Sequence, residues 1–343
     1  MPAFSWKRAA FRGAFSVAET VGLLPLVRRA FAGRGTILMF HEVQNDPSAQ
    51  LMTGTDASFL DRILGRLKRN GVDIVTMDEA LRRLSEQDRT RHFAVLTFDD
   101  GYRDNRDVAL PILEAHGAPF TMYVPTGAID RTLFSWWLGL RALILTNESV
   151  EIEPMGRRIA CSGREAKTAA LNDVVSWVRR DAAHAPMLAP VFRQAGLSLE
   201  GINERFFLAA NDVKALAAHP LASIGAHTAT HPVLSTLDSG AVRSEMSDNR
   251  ARLEALIQKP VHHLAYPYGK PRACGPREAA IAAAVGFQSA VTTSFRKLTE
   301  ASPRFLLPRL GIGAGYTLER FEAQMLGFGY QPAGPADSGP SRT

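Results

Sequence analysis

Two adjacent carboxylates, Asp99 and Asp100, close the apolar run Phe93–Phe98 (FAVLTF), and Gly101 follows them. Neighbouring side chains on a strand point to opposite faces, so two acids at its end meet different surroundings and can take different roles at one site. A second chemical stretch is 225–234, GAHTATHPVL, in which His227 and His231 stand four apart. If the loop after a strand coils into one turn, both rings face the same point. Two imidazoles and one carboxylate make a three-ligand metal site with room for water, the arrangement of hydrolytic zinc enzymes. Such ligands hold a divalent ion, zinc first, with cobalt, nickel, manganese and iron as alternatives set by availability.

Elements that could bring these groups together alternate along the chain. Near-continuous apolar runs at 36–43, 72–77, 93–98, 119–124, 221–227, 261–266, 287–292 and 307–312 read as buried strands. Helical patterns lie between them, at 57–70 with Gly71 as its stop, from Asp78 as cap through Leu84, at 104–116 with Gly117 at its end, and at 239–257 and 276–285. The rhythm breaks over 131–210, where 134–145, 165–180 and 186–194 look helical and no strand is expected, so this segment reads as an insertion on the rim. Seven or eight βα units imply an α/β protein built on a parallel barrel. In a barrel the strand ends meet on one face, and His41, Asp99, Asp100, Tyr123, His227, Tyr268 and Arg309 all fall at or just after them.

Composition narrows the function classes. The chain has 343 residues, 46% apolar and 22% charged, as expected of an ordinary globular protein. Its net charge of +6 is spread along helical faces without a dense basic patch, which argues against nucleic acid as a partner. Cys161 and Cys274 lie far apart without CxxC spacing and read as free thiols. In residues 1–35, Lys7, Arg8 and Arg12 precede a mildly apolar stretch in the manner of a secretory signal. Glu19, Pro25, Arg28 and Arg29 interrupt it, so an amphipathic helical lead-in and a cytoplasmic location are expected. No segment is apolar for long enough to cross a bilayer. Residues 331–343, rich in Pro, Gly and Ser, are expected to be a disordered tail.

The motifs carry a resemblance. Thr97 to Gly101 (TFDDG) and His227 to His231 (HTATH) resemble the first two motifs of the polysaccharide deacetylase family, carbohydrate esterase family 4, whose catalytic unit is the NodB homology domain. The likeness spans roughly His41 to Thr317 apart from the insertion. It implies a distorted (β/α) barrel of seven or eight strands over 36–330, hydrolysing N-acetyl groups of an amino-sugar polymer, oligomer or lipid-linked glycan. Carried over position by position, Asp99 is the general base, and Asp100, His227 and His231 bind the metal. Ala265 to Gly269 (AYPYG) matches the third motif, so Pro267 and Tyr268 belong at the substrate, with the Tyr268 N–H facing the oxyanion.

Three departures qualify the match. The usual arginine before Pro267 is missing, no Asp-x-x-Asp-Trp motif is present, and neither is the Leu-x-His motif that brings the acid histidine. Met39 to Val43 (MFHEV) instead resembles the MYHxV signature of a branch with its catalytic histidine at the N-terminal end, which makes His41 the general acid. Arg309, in LPRL, is the candidate to replace the lost arginine by pairing with Asp99; an ion pair elsewhere in the barrel is the alternative. Tyr123 is expected to line the pocket. Trp136 and Trp137 read first as the core of the insertion, with stacking on a sugar as the alternative. His262 and His263 stand away from a strand end and are not expected to bind metal, and Glu42 is expected to point away from His41. Two other functions stay open: a related C–N hydrolase of deformylase type acting on a smaller substrate, and a carbohydrate-binding barrel without turnover.

Overall fold

The computed structural model describes residues 33–46, 51, 54–86 and 92–327, so the expected N-terminal helix and C-terminal tail lie outside the described residues. Its main sheet has eight strands. These are β1 (Gly35–Phe40), β4 (Asp73–Ile74), β5 (Phe93–Phe98), β6 (Phe120–Val124), β9 (Ala222–Ala226), β10 (His263–Ala265), β11 (Ser289–Val291) and β12 (Leu310–Gly311). They run in the order β11-β10-β9-β6-β5-β1-β12, with β4 on the start of β5. Every pairing is parallel, and the longest joins β1 to β5 from Gly35↔Phe93 to Phe40↔Phe98. A bridge between Val291 and Leu307 links the segment entering β12 to β11, which curls the sheet into a barrel.

Strand alternation divides the core into two layers. Ile37, Phe93, Val95, Tyr123, Ala265, Val291 and Leu307 pack together inside the barrel. Their neighbours Leu38, Leu96, Met122, Val124 and Leu264 face the surrounding helices. Because both faces are covered, the strands read as unbroken apolar runs. Continuing the inward set of β5, 93, 95, 97, brings Asp99 to the barrel axis at its upper end, and continuing from Leu307 brings Arg309 to the same place.

Helices close the outer layer. In α1 (Ala57–Arg69) the Asp56 carboxylate accepts from the Phe59 N–H, and Phe59, Leu60, Ile63, Leu64 and Leu67 form the buried stripe. α2 (Met77–Ser85) is capped by Thr76, whose hydroxyl accepts from Glu79, and not by Asp78 as expected. That cap ends the preceding strand early, which shortens the predicted 72–77 to β4. The expected helix at 104–116 opens on a π turn, Asn105–Ala109, before α3 (Leu110–Ala115). After the short α4 (Thr126–Ile129), the framework resumes with α9 (Ala210–Ala218), α10 (Ser239–Ile257), α11 (Pro276–Val285) and α12 (Leu318–Met325). Among the described residues, no helix is long and apolar enough to cross a membrane.

The insertion has its own core. It contains α5 (Trp136–Thr146), a hairpin of β7 (Ser149–Ile152) and β8 (Arg157–Ala160), α6 (Gly163–Arg180), α7 (Leu188–Gln194) and α8 (Leu199–Phe206). Leu140, Ile144, Val150, Ile152, Val174, Leu188 and Phe192 cluster within it. Lys167 finishes α5 by donating to the carbonyls of Ile144, Leu145 and Asn147 at 2.6–2.9 Å. The antiparallel hairpin corrects the expectation of an insertion without strands. Its strands are four residues each and only Val150, Ile152 and Ile159 are buried, so they carry too few apolar positions to stand out in the sequence. β2 (Val43–Gln44) and β3 (Thr55–Asp56) pair by themselves beside the barrel mouth.

One glycine in β9 is fixed by packing. A Cβ on Gly225 would lie 2.4 Å from the Tyr123 ring and 3.1 Å from the His263 carbonyl oxygen. Tyr123 is wholly buried and cannot swing aside. Gly225→Ala is therefore expected to destabilise the protein by about 1–3 kcal/mol, the range for overpacking a tight core. Denaturant titration checks this, and Tyr123→Phe, which removes a hydroxyl without a partner, is expected to leave the midpoint unchanged or raise it.

Candidate active site

At the C-terminal mouth of the barrel, the Asp99–Arg309 pair comes first. Arg309 Nη1 and Nη2 donate to the two Asp99 carboxylate oxygens, each at 2.7 Å. The same guanidinium donates to the Thr97 hydroxyl at 3.1 Å and, through Nε, to the Thr292 carbonyl at 2.9 Å. Arg309 and Asp99 are buried, with side chains 0% and 3% exposed. Burial alone would raise the Asp99 pKa, but Arg309, with His227 behind it, holds the carboxyl below the ordinary carboxylate range. Of the two pairings open to it, Arg309 makes the one with Asp99.

Beside this pair, Asp100, His227 and His231 offer three ligand atoms within 4.8 Å of one another. Asp100 Oδ1 lies 3.3 Å from Nε2 of each histidine. His227 Nδ1 is 2.7 Å from the Ala265 carbonyl, a contact that requires the proton on Nδ1 and turns the Nε2 lone pair toward Asp100. Asp100 Oδ1 is buried without a hydrogen bond. Lone pairs converging on one point in a dry site are satisfied by a cation, so the donor set fits a divalent metal.

The loops that carry these groups are strained and tied down. Asp100, Thr228, His231 and Tyr268 are four of seven non-glycine residues with positive φ among the described residues, at 73°, 63°, 58° and 59°. Each such residue costs about 1 kcal/mol or more, and such strain collects where function overrides local preference. Asn249, a fully buried side chain of α10, accepts from the His227 N–H at 3.0 Å and donates to the Val124 carbonyl at 3.1 Å. Glu245 accepts from the Thr230 N–H at 2.9 Å and from its hydroxyl at 2.6 Å. The Pro267 to Gly269 turn is anchored by Thr293, whose hydroxyl donates to the Tyr268 carbonyl at 2.8 Å.

Most expected site residues gather here. The Tyr268 ring lies 5.0 Å from that of His231, and no acceptor takes the Tyr268 N–H among the described residues. His41 follows β1 in the inward alternation of Ile37, next to Phe40, whose carbonyl accepts from the Asp99 N–H at 3.0 Å. Tyr123 differs from expectation: it lies inside the barrel with the Arg309 guanidinium 5.7 Å above its ring, and so forms the floor under the ion pair and no accessible wall. Trp136 and Trp137 belong to the insertion yet reach the mouth. Their indole N–H groups donate to the Tyr268 hydroxyl at 3.1 Å and the Tyr102 hydroxyl at 2.7 Å, and the Trp137 ring lies 5.2 Å from His231. His263 bonds Ser289 and Asp78 and not the Asp100, His227 and His231 cluster.

Asn249, Glu245 and Thr293 escaped the sequence reading. Only Asn249 left a signal there: it occupies the apolar register 242, 246, 249, 253, 256 of α10, where a polar residue must have a partner.

Two outcomes follow from the electrostatics. Arg309→Met leaves Asp99 buried and unpaired, with an expected loss of about 3–5 kcal/mol in denaturant titration, and adding Asp99→Asn is expected to restore much of it. Asp104 is half-buried beside Glu42, and desolvation together with Glu42 raises its pKa from 3.8 to about 8, against donors from Val43 and Gln44. The folded state therefore keeps a proton that the unfolded chain releases, so stability falls as pH rises from about 4 to about 8. Unfolding midpoints at pH 5 and 8.5 should show Asp104→Asn gaining on the wild type at the higher pH.

Comparison with known proteins bears on what this site does. A family model described as polysaccharide deacetylase matches residues 86–289. No curated protein sequence matches the chain significantly. Among solved structures, Streptococcus pyogenes deacetylase PplD in complex with acetate has a TM-score of 0.57 at 20% identity, covering 84% of this chain and 97% of that one. A de-N-acetylase from Aggregatibacter actinomycetemcomitans scores 0.56 at 15% identity, covering 84% and 99%. IcaB from Ammonifex degensii scores 0.52 at 18% identity, covering 86% and 98%. These likenesses establish the deacetylase-type barrel. With its family match extending over more than half of its 343 residues, the chain belongs to the polysaccharide deacetylase family, hydrolases of amide bonds.

Proposed function

We propose that the protein is a metal-dependent deacetylase that removes N-acetyl groups from amino sugars in a polysaccharide, oligosaccharide or lipid-linked glycan. The observation that carries this reading is the adjacency of an ionised, Arg309-clamped Asp99 to the Asp100, His227 and His231 ligand set. An acetamide is a poor electrophile and neutral water a poor nucleophile. A divalent ion held by the three ligands would polarise the carbonyl and acidify a water, with zinc the first choice.

The chain's own residues supply the rest. Asp99, kept ionised by Arg309, takes a proton from the attacking water. The Tyr268 N–H, unused by the protein, meets the developing oxyanion, and the positive φ of Tyr268 is the cost of aiming it. His41 delivers a proton to the departing amine. His227 keeps its Nε2 available because its Nδ1 proton is committed to the Ala265 carbonyl. Trp136 and Trp137 close the mouth beside His231, which limits water at the reacting carbonyl.

Acetate release from N-acetylglucosamine oligomers and polymers, by chelator-stripped protein with and without added divalent ions, tests the function. Acetate should appear only with metal and be lost in His227→Ala. Asp99→Asn should lower turnover by about a hundredfold or more while oligomer binding persists. Full activity in Asp99→Asn would refute the mechanism, and failure to bind metal would favour a carbohydrate-binding barrel without turnover.

A further inference from the structure

His41 is held by its backbone from both sides. The Phe40 carbonyl before it accepts from the Asp99 N–H at 3.0 Å, and the Glu42 carbonyl after it accepts from the Thr55 N–H at 2.8 Å. Its own carbonyl accepts from Asn105 Nδ2 at 2.7 Å. What remains to be fixed is the Glu42 side chain, which points away from the metal ligands into the protein. There it meets Arg141, from the middle of α5, in a bidentate pair of 2.7 and 2.9 Å. Both side chains are buried, 4% and 7% exposed, and the two residues are 99 apart in sequence. The Arg141 guanidinium in turn rests 5.0 Å from the Phe206 ring centroid at the end of α8.

A buried bidentate pair seldom adds net stability over apolar packing of the same volume, but it allows only one relative placement of its partners. Here the partners are the residue next to His41 and a helix whose first two residues already touch Tyr268, Tyr102 and His231. A sideways shift of α5 would therefore be felt at the proton donor and beside a metal ligand at once.

We propose that Arg141 is a positioning residue for proton delivery: through Glu42 it sets the height and angle of His41 over the Asp100, His227 and His231 cluster, so that the insertion governs departure of the amine. The inference rests on the deacetylase reading, with His41 as the acid. Arg141 touches no reacting atom, and its effect must appear only in the step that needs His41.

Leaving-group dependence isolates that step. An N-acetylglucosamine oligomer departs as an amine that must be protonated, whereas 4-nitrophenyl acetate departs as a stable phenolate and needs no acid. With the zinc-loaded full-length protein, Arg141→Lys keeps the charge and loses the two-point geometry. It is expected to lower kcat for the oligomer by about tenfold or more, with KM, zinc affinity and ester kcat changed by no more than about twofold. His41→Ala should show the same split, and adding Arg141→Lys to it should cost nothing further, because residues acting through one group are not additive. Should the more drastic Arg141→Met fail to fold, the lysine variant and Glu42→Gln still decide the matter. Equal losses on amide and ester, no loss on either, or additive losses with His41→Ala would overturn the proposal. Wild-type protein that hydrolyses the ester and no N-acetyl sugar would instead overturn the deacetylase reading, and this one with it.

Discussion

The structure depends on one buried charge pair. A carboxylate at the axis of a barrel, wholly removed from water, would ordinarily become neutral, and a neutral acid cannot take a proton. Arg309 prevents this with two parallel donors to Asp99, and the barrel wall in turn satisfies Arg309 through Thr97 and Thr292. Several choices follow from that requirement. Tyr123 packs beneath the guanidinium with its ring against β9, so Gly225 must have no side chain. The segment carrying Arg309 must also meet both edges of the sheet, through the Val291 to Leu307 bridge on one side and the Leu38 to Leu310 register on the other. Closing the barrel and pairing Asp99 thus depend on the same segment.

Next to the pair, the protein accepts strain in order to aim groups. Asp100, Thr228, His231 and Tyr268 all adopt left-handed backbone conformations that their side chains disfavour, and each belongs to a loop at the barrel mouth. The compensation is local: Asn249 and Glu245 from α10 hold the histidine loop, and Thr293 holds the Tyr268 turn. Rigidity here comes from hydrogen bonds reaching in from helices and from the neighbouring strand end. Two aromatic rings, from Trp137 and Tyr268, in turn pack beside His231, at 5.2 and 5.0 Å.

Much of this was legible in the sequence, for a definite reason. The run FAVLTF is buried on both faces and ends where its inward alternation reaches Asp99, so β5 was read to the residue, along with the acids that follow it. Arg309 could be singled out because LPRL places a cation at a strand end opposite a carboxylate, although only the folded chain distinguishes the two pairings open to it. Tyr123 is on the inner face, as lining the pocket requires, but it lies beneath the ion pair: every residue of FTMYV is buried, and such a run does not say how deep below the mouth a side chain sits. The hairpin of the insertion leaves little signal because its eight strand residues pair with each other and only Val150, Ile152 and Ile159 are buried.

Arg141 belongs to a different class of omission. Motifs are local, and each marks residues brought together by one strand end. α5 instead connects several such ends: Trp136 meets the turn after β10, Trp137 meets Tyr102 after β5 and His231 after β9, and Arg141 meets Glu42 after β1. Trp136 to Arg141 span only about 8 Å of helix, and their long side chains extend that reach to loops on several sides of the mouth. A helix laid there is positioned by several loops, and each of those loops is positioned by it. The insertion therefore enters the site as a fourth support besides strands, loops and α10, and any change in its packing acts on the mouth as a whole.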